Sequence, residues 1–254
     1  MINLQKNIIL YRNNFLLYNN LVYKNIHILY LLLGGKTMNK GFKTFSRIII
    51  NALYRVKEYN KPNLTDGSYI LCPNHVSDAD GPVIWSHNNN IRILAKKECF
   101  KHKWMALFLN FVDVVKIDRD RHNGVELLEA IDYFKDGKNK LFMLFPQGTI
   151  SDLNKNKLSR IKSGAFFISA KTNVPIVPIF LEQPRFFRKT RVVYGKPMYM
   201  EGAVVNGKVD KKVLEKYRLQ WQQEVFKLQD MATKFEDRPI RKLKLKPKHQ
   251  NNNE

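Results

Sequence analysis

The chain has 254 residues, with 44 Lys and Arg against 22 Asp and Glu, a formal net charge of +22. Hydrophobic residues at 44% and aromatics at 12% exclude a disordered polycation, and a mean hydropathy of −0.38 excludes a polytopic membrane protein. Two cysteines, Cys72 and Cys99, are too few for a disulfide framework and point to a reducing compartment, while the basic excess predicts an anionic partner: nucleic acid, anionic lipid or a phosphorylated substrate.

Residues 1–37 contain an apolar stretch, 16–33, interrupted by Asn19, Asn20, Lys24, Asn25 and His27. This falls short of the about 20 mostly apolar residues of a spanning helix, so 1–37 is expected to be an N-terminal extension or a weak membrane anchor. Residues 38–62 are read as an amphipathic interfacial helix, because Phe42, Phe45, Ile49, Ala52 and Val56 recur every three or four residues. Lys40, Lys43, Arg47, Arg55 and Lys57 surround that face, as on helices that lie in a membrane interface; packing of the same face on the protein's own core is the other reading.

Strands and helices then alternate. Strands are expected at 68–73, 91–95, 112–117, 139–146, 174–181 and 191–194, and helices at 81–87, 104–111, 124–135, 164–171 and 210–236. The pattern predicts an α/β fold, a mixed but mostly parallel sheet flanked by helices. The Pro175–Pro178 spacing in the 174–181 run suggests an edge strand or a constrained rim. The tail, 238–254, is basic and expected to be disordered.

Four segments carry chemistry. In Asn74-His75-Val76-Ser77-Asp78-Ala79-Asp80, His75 lies just past a strand, where α/β proteins place ligands. A turn into a helix brings Asp80 to its ring, and a carboxylate on one imidazole nitrogen fixes the tautomer and raises the basicity of the other. The same residues also fit a helix-capping pattern of Ser77 with Asp80. Arg119 and Arg121 follow a strand and offer planar donors to phosphate, or balance Asp118 and Asp120. Phe145-Pro146-Gln147-Gly148-Thr149-Ile150 leaves another strand in a turn whose N–H groups and Thr149 hydroxyl could meet an anion. Val174-Pro175-Ile176-Val177-Pro178 is the fourth. Neither a Gly-rich nucleotide loop nor a metal-ligand spacing is present in the sequence.

The order of these four segments resembles the glycerolipid acyltransferase family. Its blocks run Asn-His-x4-Asp, a hydrophobic stretch ending in Arg, Phe-Pro-Glu-Gly-Thr-Arg, and Val-Pro-x-x-Pro. The resemblance spans roughly 45–200, making 63–237 the acyltransferase domain. It implies His75 as the base that deprotonates the acceptor hydroxyl, with Asp80 as its partner. It also implies Arg119, Gln147, Gly148, Thr149 and Lys162 as substrate-binding residues. The expected reaction moves a fatty acyl group from acyl-CoA or acyl carrier protein to 1-acyl-sn-glycerol 3-phosphate, giving phosphatidic acid without cofactor or metal.

Expected partners are that lysolipid, the acyl thioester and an anionic membrane surface, with acyl carrier protein as a further option and no nucleic acid. The expected place is the cytoplasmic face of a bacterial membrane, peripherally or weakly anchored. Two positions depart from the pattern: Gln147 stands for the family Glu and Ile150 for the family Arg. Another acceptor, such as glycerol 3-phosphate or a lysophospholipid, a non-catalytic lipid-binding member of the family and a basic nucleic-acid-binding protein are the competing readings.

Overall fold

The computed structural model describes residues 40–235 except 102–104, 107, 110–111, 118–123, 136, 138 and 152–159, with side chains from residue 43 onward. The elements are α1 (Lys40–Tyr54), β1 (Val56–Tyr59), β2 (Tyr69–Pro73), α2 (Asp80–Ser86), β3 (Ile91–Lys96), a 3-10 turn (Lys97–Lys101), β4 (Asp113–Ile117) and α3 (Val125–Lys135). They continue with β5 (Leu141–Met143), α4 (Gly164–Thr172), β6 (Ile176–Leu181), β7 (Thr190–Tyr194), β8 (Val204–Val205), β9 (Lys208–Val209) and α5 (Lys211–Lys234). The expected extension 1–37 and tail 238–254 lie outside the described residues, as do 104, 107, 110 and 111 of the expected helix at 104–111; the other four residues of that segment are helical. Among the described residues no helix is long and apolar enough to cross a membrane.

The main sheet has the order β1-β7-β6-β2-β5-β3-β4. From β6 to β4 its strands are parallel. The link from Leu181 to Thr190 is too short for a helical crossover, so β7 runs antiparallel to β6, and β1 joins β7 in parallel. The sheet is the mixed, mostly parallel one that the alternating pattern predicts. Side chains leave each strand to alternate faces. Ile70, Cys72, Phe142, Ile176 and Phe180 meet α3, α4 and α5 on one side. Leu71, Met143, Val177 and Ile179 meet α1 and α2 on the other.

Three expectations need correction. The helix expected over 38–62 stops at Tyr54, because Arg55 takes a left-handed φ of 44° and Val56–Tyr59 pairs with β7. Strand pairing there outweighs the helical spacing of Val56. The β6 segment is central rather than an edge, every residue of it is buried, and it does not line the cavity described below. Its prolines fit because Pro175 and Ile179 turn their carbonyls to β2, so Pro178 faces the other way. There β7 has ended, and Pro178 need only accept the Gly195 N–H, 2.8 Å; a missing N–H costs nothing at that place. The hairpin β8–β9 was not expected, although Asn206 and Gly207, with φ of 50° and 75°, form the kind of turn that favours Asn-Gly.

One buried ion pair ties the end of β6 to β7 and α5. Arg191, fully buried, donates Nε–H to Glu182 Oε2 at 2.9 Å and Nη1–H to the Ala232 carbonyl at 2.9 Å. Removing one partner of such a pair leaves a buried charge uncompensated. Glu182→Ala is expected to lower unfolding free energy by about 3–5 kcal/mol in urea titrations; a loss below about 1 kcal/mol would mean that the guanidinium finds water.

Candidate active site

The site begins where β2 ends. Asn74 is fully buried, and its side chain extends the pairing of β2 with β6 one step past Pro73, the last residue of the strand. Its Nδ2 donates to the Leu181 carbonyl at 2.9 Å and its Oδ1 accepts the Leu181 N–H at 2.7 Å. An Asn side chain is a peptide group in miniature, which is why it can stand in for backbone here. The next residue, His75, emerges at the end of the sheet with its ring stacked on Phe145, centroids 4.0 Å apart and planes 18° apart.

Asp80, at the first turn of α2, is wholly buried and turns back over the loop. Its Oδ2 accepts the Val76 N–H at 2.6 Å and the Ser77 N–H at 2.8 Å, and lies 2.9 Å from His75 Nδ1. The capping reading is met only in part: Asp80 accepts the Ser77 N–H, but the N-cap of α2 is Ala79, which has no side-chain cap bond, so the carboxylate organises the loop and holds the ring rather than capping the helix. Burial pushes the Asp80 carboxyl above its ordinary range, and hydrogen bonding and charge from His75, then the Val76 and Ser77 amides, pull it back. Asp80 Oδ1 is buried and has no hydrogen-bond partner among the described residues. With Nδ1 on Asp80, Nε2 is the ring nitrogen left for the cavity that His75 lines.

That cavity has a volume of about 660 Å³. Its polar lining includes His75, Thr149, Lys162 and Ser163 with the charged Asp78, Lys96 and Glu126, and its apolar lining Ile93, Leu94, Met105, Phe108, Leu109 and Leu127. Among the described residues no three His, Cys, Asp or Glu side chains are grouped to hold a metal ion.

The family profile described as "Acyltransferase" matches residues 55–182, half the chain, from just before β1 to just after β6. The chain belongs to the acyltransferase family. Among its relatives is the 1-acyl-sn-glycerol-3-phosphate acyltransferase of Bacillus subtilis (strain 168), 27% identical over 164 residues that cover 60% of this chain and 78% of that one. Another is the 1-acyl-sn-glycerol-3-phosphate acyltransferase BAT2, chloroplastic, of Brassica napus, 30% identical over 143 residues, or 55% of this chain and 40% of that one. The crystal structure of the 1-acyl-sn-glycerophosphate (LPA) acyltransferase PlsC from Thermotoga maritima shares the fold, with a TM-score of 0.58 and 20% identity over 85% of this chain and 95% of that one. The protein is thus an acyltransferase enzyme with a mixed, mostly parallel sheet.

Of the residues singled out in the sequence, His75, Gly148, Thr149 and Lys162 line one cavity, and Asp80 joins them through its contact with His75. Arg119 lies outside the described residues. Gln147 is placed differently from its expected substrate-binding position: it is 1% exposed and faces the loop, not the cavity. Its Oε1 accepts the His75 N–H at 2.6 Å, and its Nε2 donates to Ser151 Oγ. The Ser151 N–H in turn donates to the His75 carbonyl at 2.8 Å, so both sides of the His75 backbone are clamped by one segment. Gly148 supplies a left-handed φ of 62°, but its N–H is already given to the Phe145 carbonyl at 2.8 Å and is not held out to an anion. Ser151 and the stacking of Phe145 on His75 are not legible in the sequence, since neither a clamp four residues beyond Gln147 nor a ring contact has a sequence signature.

The burial of Gln147 yields a test. Gln147→Leu removes the acceptor for the His75 N–H and is expected to lower kcat about 10–100-fold, as small misplacements of reacting groups do. The KM for either substrate should change less than threefold. A rise in acceptor KM at constant kcat would return Gln147 to the substrate-binding set.

Proposed function

We propose that this acyltransferase moves a fatty acyl group from an acyl thioester, acyl-CoA or acyl carrier protein, to the free hydroxyl of 1-acyl-sn-glycerol 3-phosphate, giving phosphatidic acid. The observation that carries the reading is the 2.9 Å contact of His75 Nδ1 with buried Asp80, beside a cavity with polar and apolar lining. The relatives of Bacillus subtilis and Brassica napus, both 1-acyl-sn-glycerol-3-phosphate acyltransferases, support the acceptor.

In this reaction His75 Nε2 takes the proton of the acceptor hydroxyl as its oxygen attacks the thioester carbonyl. The tetrahedral intermediate collapses with cleavage of the C–S bond, and the imidazolium returns the proton to the departing thiolate. An ester and a free thiol result, and no acyl-enzyme is required. Asp80 keeps the Nδ1–H tautomer and stabilises the imidazolium while it lasts. The acceptor phosphate sits beside Lys162, which precedes α4, where the first residues of that helix line the cavity. The start of α4 has no acidic side chain, so its first-turn N–H groups and a lysine both favour an anion there. Thr149 lines the same cavity, and Arg119 enters this proposal through its sequence motif alone. The apolar lining takes an acyl chain. The enzyme works at a bilayer surface, on the cytoplasmic face, held peripherally by α1.

Thioester release measured in parallel with lysophosphatidic acid, glycerol 3-phosphate and lysophospholipids tests the acceptor. His75→Ala is expected to lower kcat by about 10²–10⁴-fold with an unchanged melting curve; near-parental turnover would remove His75 from the chemistry. A second variant reads the acceptor site. Ile150 lines the cavity and is 38% exposed, so Ile150→Arg adds a fork donor for phosphate. It is expected to lower the KM for lysophosphatidic acid several-fold, while Lys162→Met raises it about tenfold and leaves the donor KM within twofold. Equal shifts for donor and acceptor would place the phosphate elsewhere.

A further inference from the structure

The residue in the structure least suited to its surroundings is Phe187. It lies in the loop between β6 and β7, is 63% exposed, and has a φ of 59°. A bulky side chain is a true outlier in that left-handed region, and an aromatic ring gains nothing from water. The conformation is held from behind. The Phe187 N–H donates to the Leu53 carbonyl in the last turn of α1, at 2.5 Å. Phe186 stacks on Tyr54 of the same turn, with centroids 5.3 Å apart. The Glu182–Arg191 pair fixes the base of the loop. Backbone strain that its surroundings enforce is a pointer to use.

The loop packs against the C-terminal turn of α1, through the Leu53 carbonyl and the Tyr54 ring, and the rest of that helix has an outward face. Ile50 and Tyr54 turn into the core, so Phe45, 43% exposed, and Ile48, 62% exposed, point away from it, with Ala52 exposed beside them. Exposed Arg47, Arg55, Arg185, Arg188 and Lys189 border these apolar groups, and no acidic residue occurs in α1 or in residues 183–189.

We propose that the β6–β7 loop, Arg185–Lys189, is a lipid-contacting element that acts together with the outer face of α1, with Phe187 entering the headgroup–acyl boundary of an anionic bilayer. The proposal rests on the reading that the enzyme works at a bilayer surface, and it adds a contact from the far side of the sequence. Charge complementarity selects the occupant. Aromatic and aliphatic groups ringed by cations match an anionic interface, where rings sit below the headgroups and guanidinium groups meet phosphates. Ile48 and Ala52 offer hydrocarbon contact, which nucleic-acid bases stacking on Phe187 would not use. Position agrees as well. The loop follows the C-terminal end of β6, and β2, parallel to β6 and joined to it by Asn74, delivers His75 at that same edge of the sheet. Lipid contact through the loop therefore places bilayer on the edge of the sheet from which His75 emerges.

The test uses the full chain and vesicles of phosphatidylcholine with or without phosphatidylglycerol. Phe187→Trp with brominated acyl chains is expected to show more tryptophan quenching than the parent protein on anionic vesicles only, and high salt should abolish the difference. Phe187→Asn places a residue that tolerates left-handed backbone. Its melting temperature should stay level or rise and its turnover on detergent-dispersed acceptor should hold, while its affinity for anionic vesicles falls about five- to tenfold. An unquenched tryptophan in protein that sediments with the vesicles overturns the loop contact and leaves α1 as the anchor. Unchanged vesicle affinity of Phe187→Asn, or vesicle binding displaced by duplex DNA, also overturns it. Protein that fails to sediment with anionic vesicles overturns both the loop contact and the membrane-surface reading, and turnover on the dispersed acceptor then decides the acyl-transfer reading separately.

Discussion

A single buried oxygen, Oδ2 of Asp80, organises the active edge of this protein. It collects the Val76 and Ser77 amides and the His75 ring nitrogen within 2.9 Å. Each donor reduces the cost of keeping a carboxylate away from water, and burial still leaves the carboxyl above its ordinary range. The loop cannot relax without stranding that charge. The course of the loop and the orientation of the His75 ring are consequences of the same contact, so local folding and the setting of the ring are inseparable here.

Around this centre, backbone rather than side-chain variety gives precision. Asn74 extends β2 toward β6 with its amide, Gln147 and Ser151 hold the His75 peptide from the other side, and Lys162 N–H reaches the Pro146 carbonyl at 2.7 Å. The loops after β2 and β5 and the lead-in to α4 thus form one hydrogen-bonded body. A neutral amide at Gln147 suits that body. A carboxylate there would sit buried on the backbone of the residue that Asp80 already contacts, and two nearby buried anions would compete for one proton.

Much of this was legible in the sequence, for identifiable reasons. The alternation of β2, α2, β3 and α3–β5 follows from apolar runs punctuated by Pro, Gly and Asn, and the His75–Asp80 spacing encodes a loop closing onto a helix start. What stayed hidden depends on pairing partners distant in sequence. Val56 has helical spacing relative to Ala52, and only the availability of β7 some 130 residues later makes it a strand. Pro178 reads as an edge signal because a sequence cannot show that β7 ends beside it. Gln147 looks like a ligand-facing polar residue, since nothing local reveals that its side chain turns inward. The Asn206-Gly207 turn was readable and was passed over because the strands it joins are two residues each.

The cavity's lining has two origins in the chain. The polar groups beside His75 come from the hydrogen-bonded loops around 75 and 148 and the start of α4, and most of the apolar groups from β3, Met105, Phe108, Leu109 and α3. None of the hydrogen bonds described for His75 runs through those apolar residues. Exchanges such as Met105 or Leu127 for smaller or larger residues would therefore reshape the cavity while leaving the setting of the His75 ring untouched. In that sense the scaffold is modular: the space beside the ring and the loops that hold it can change independently.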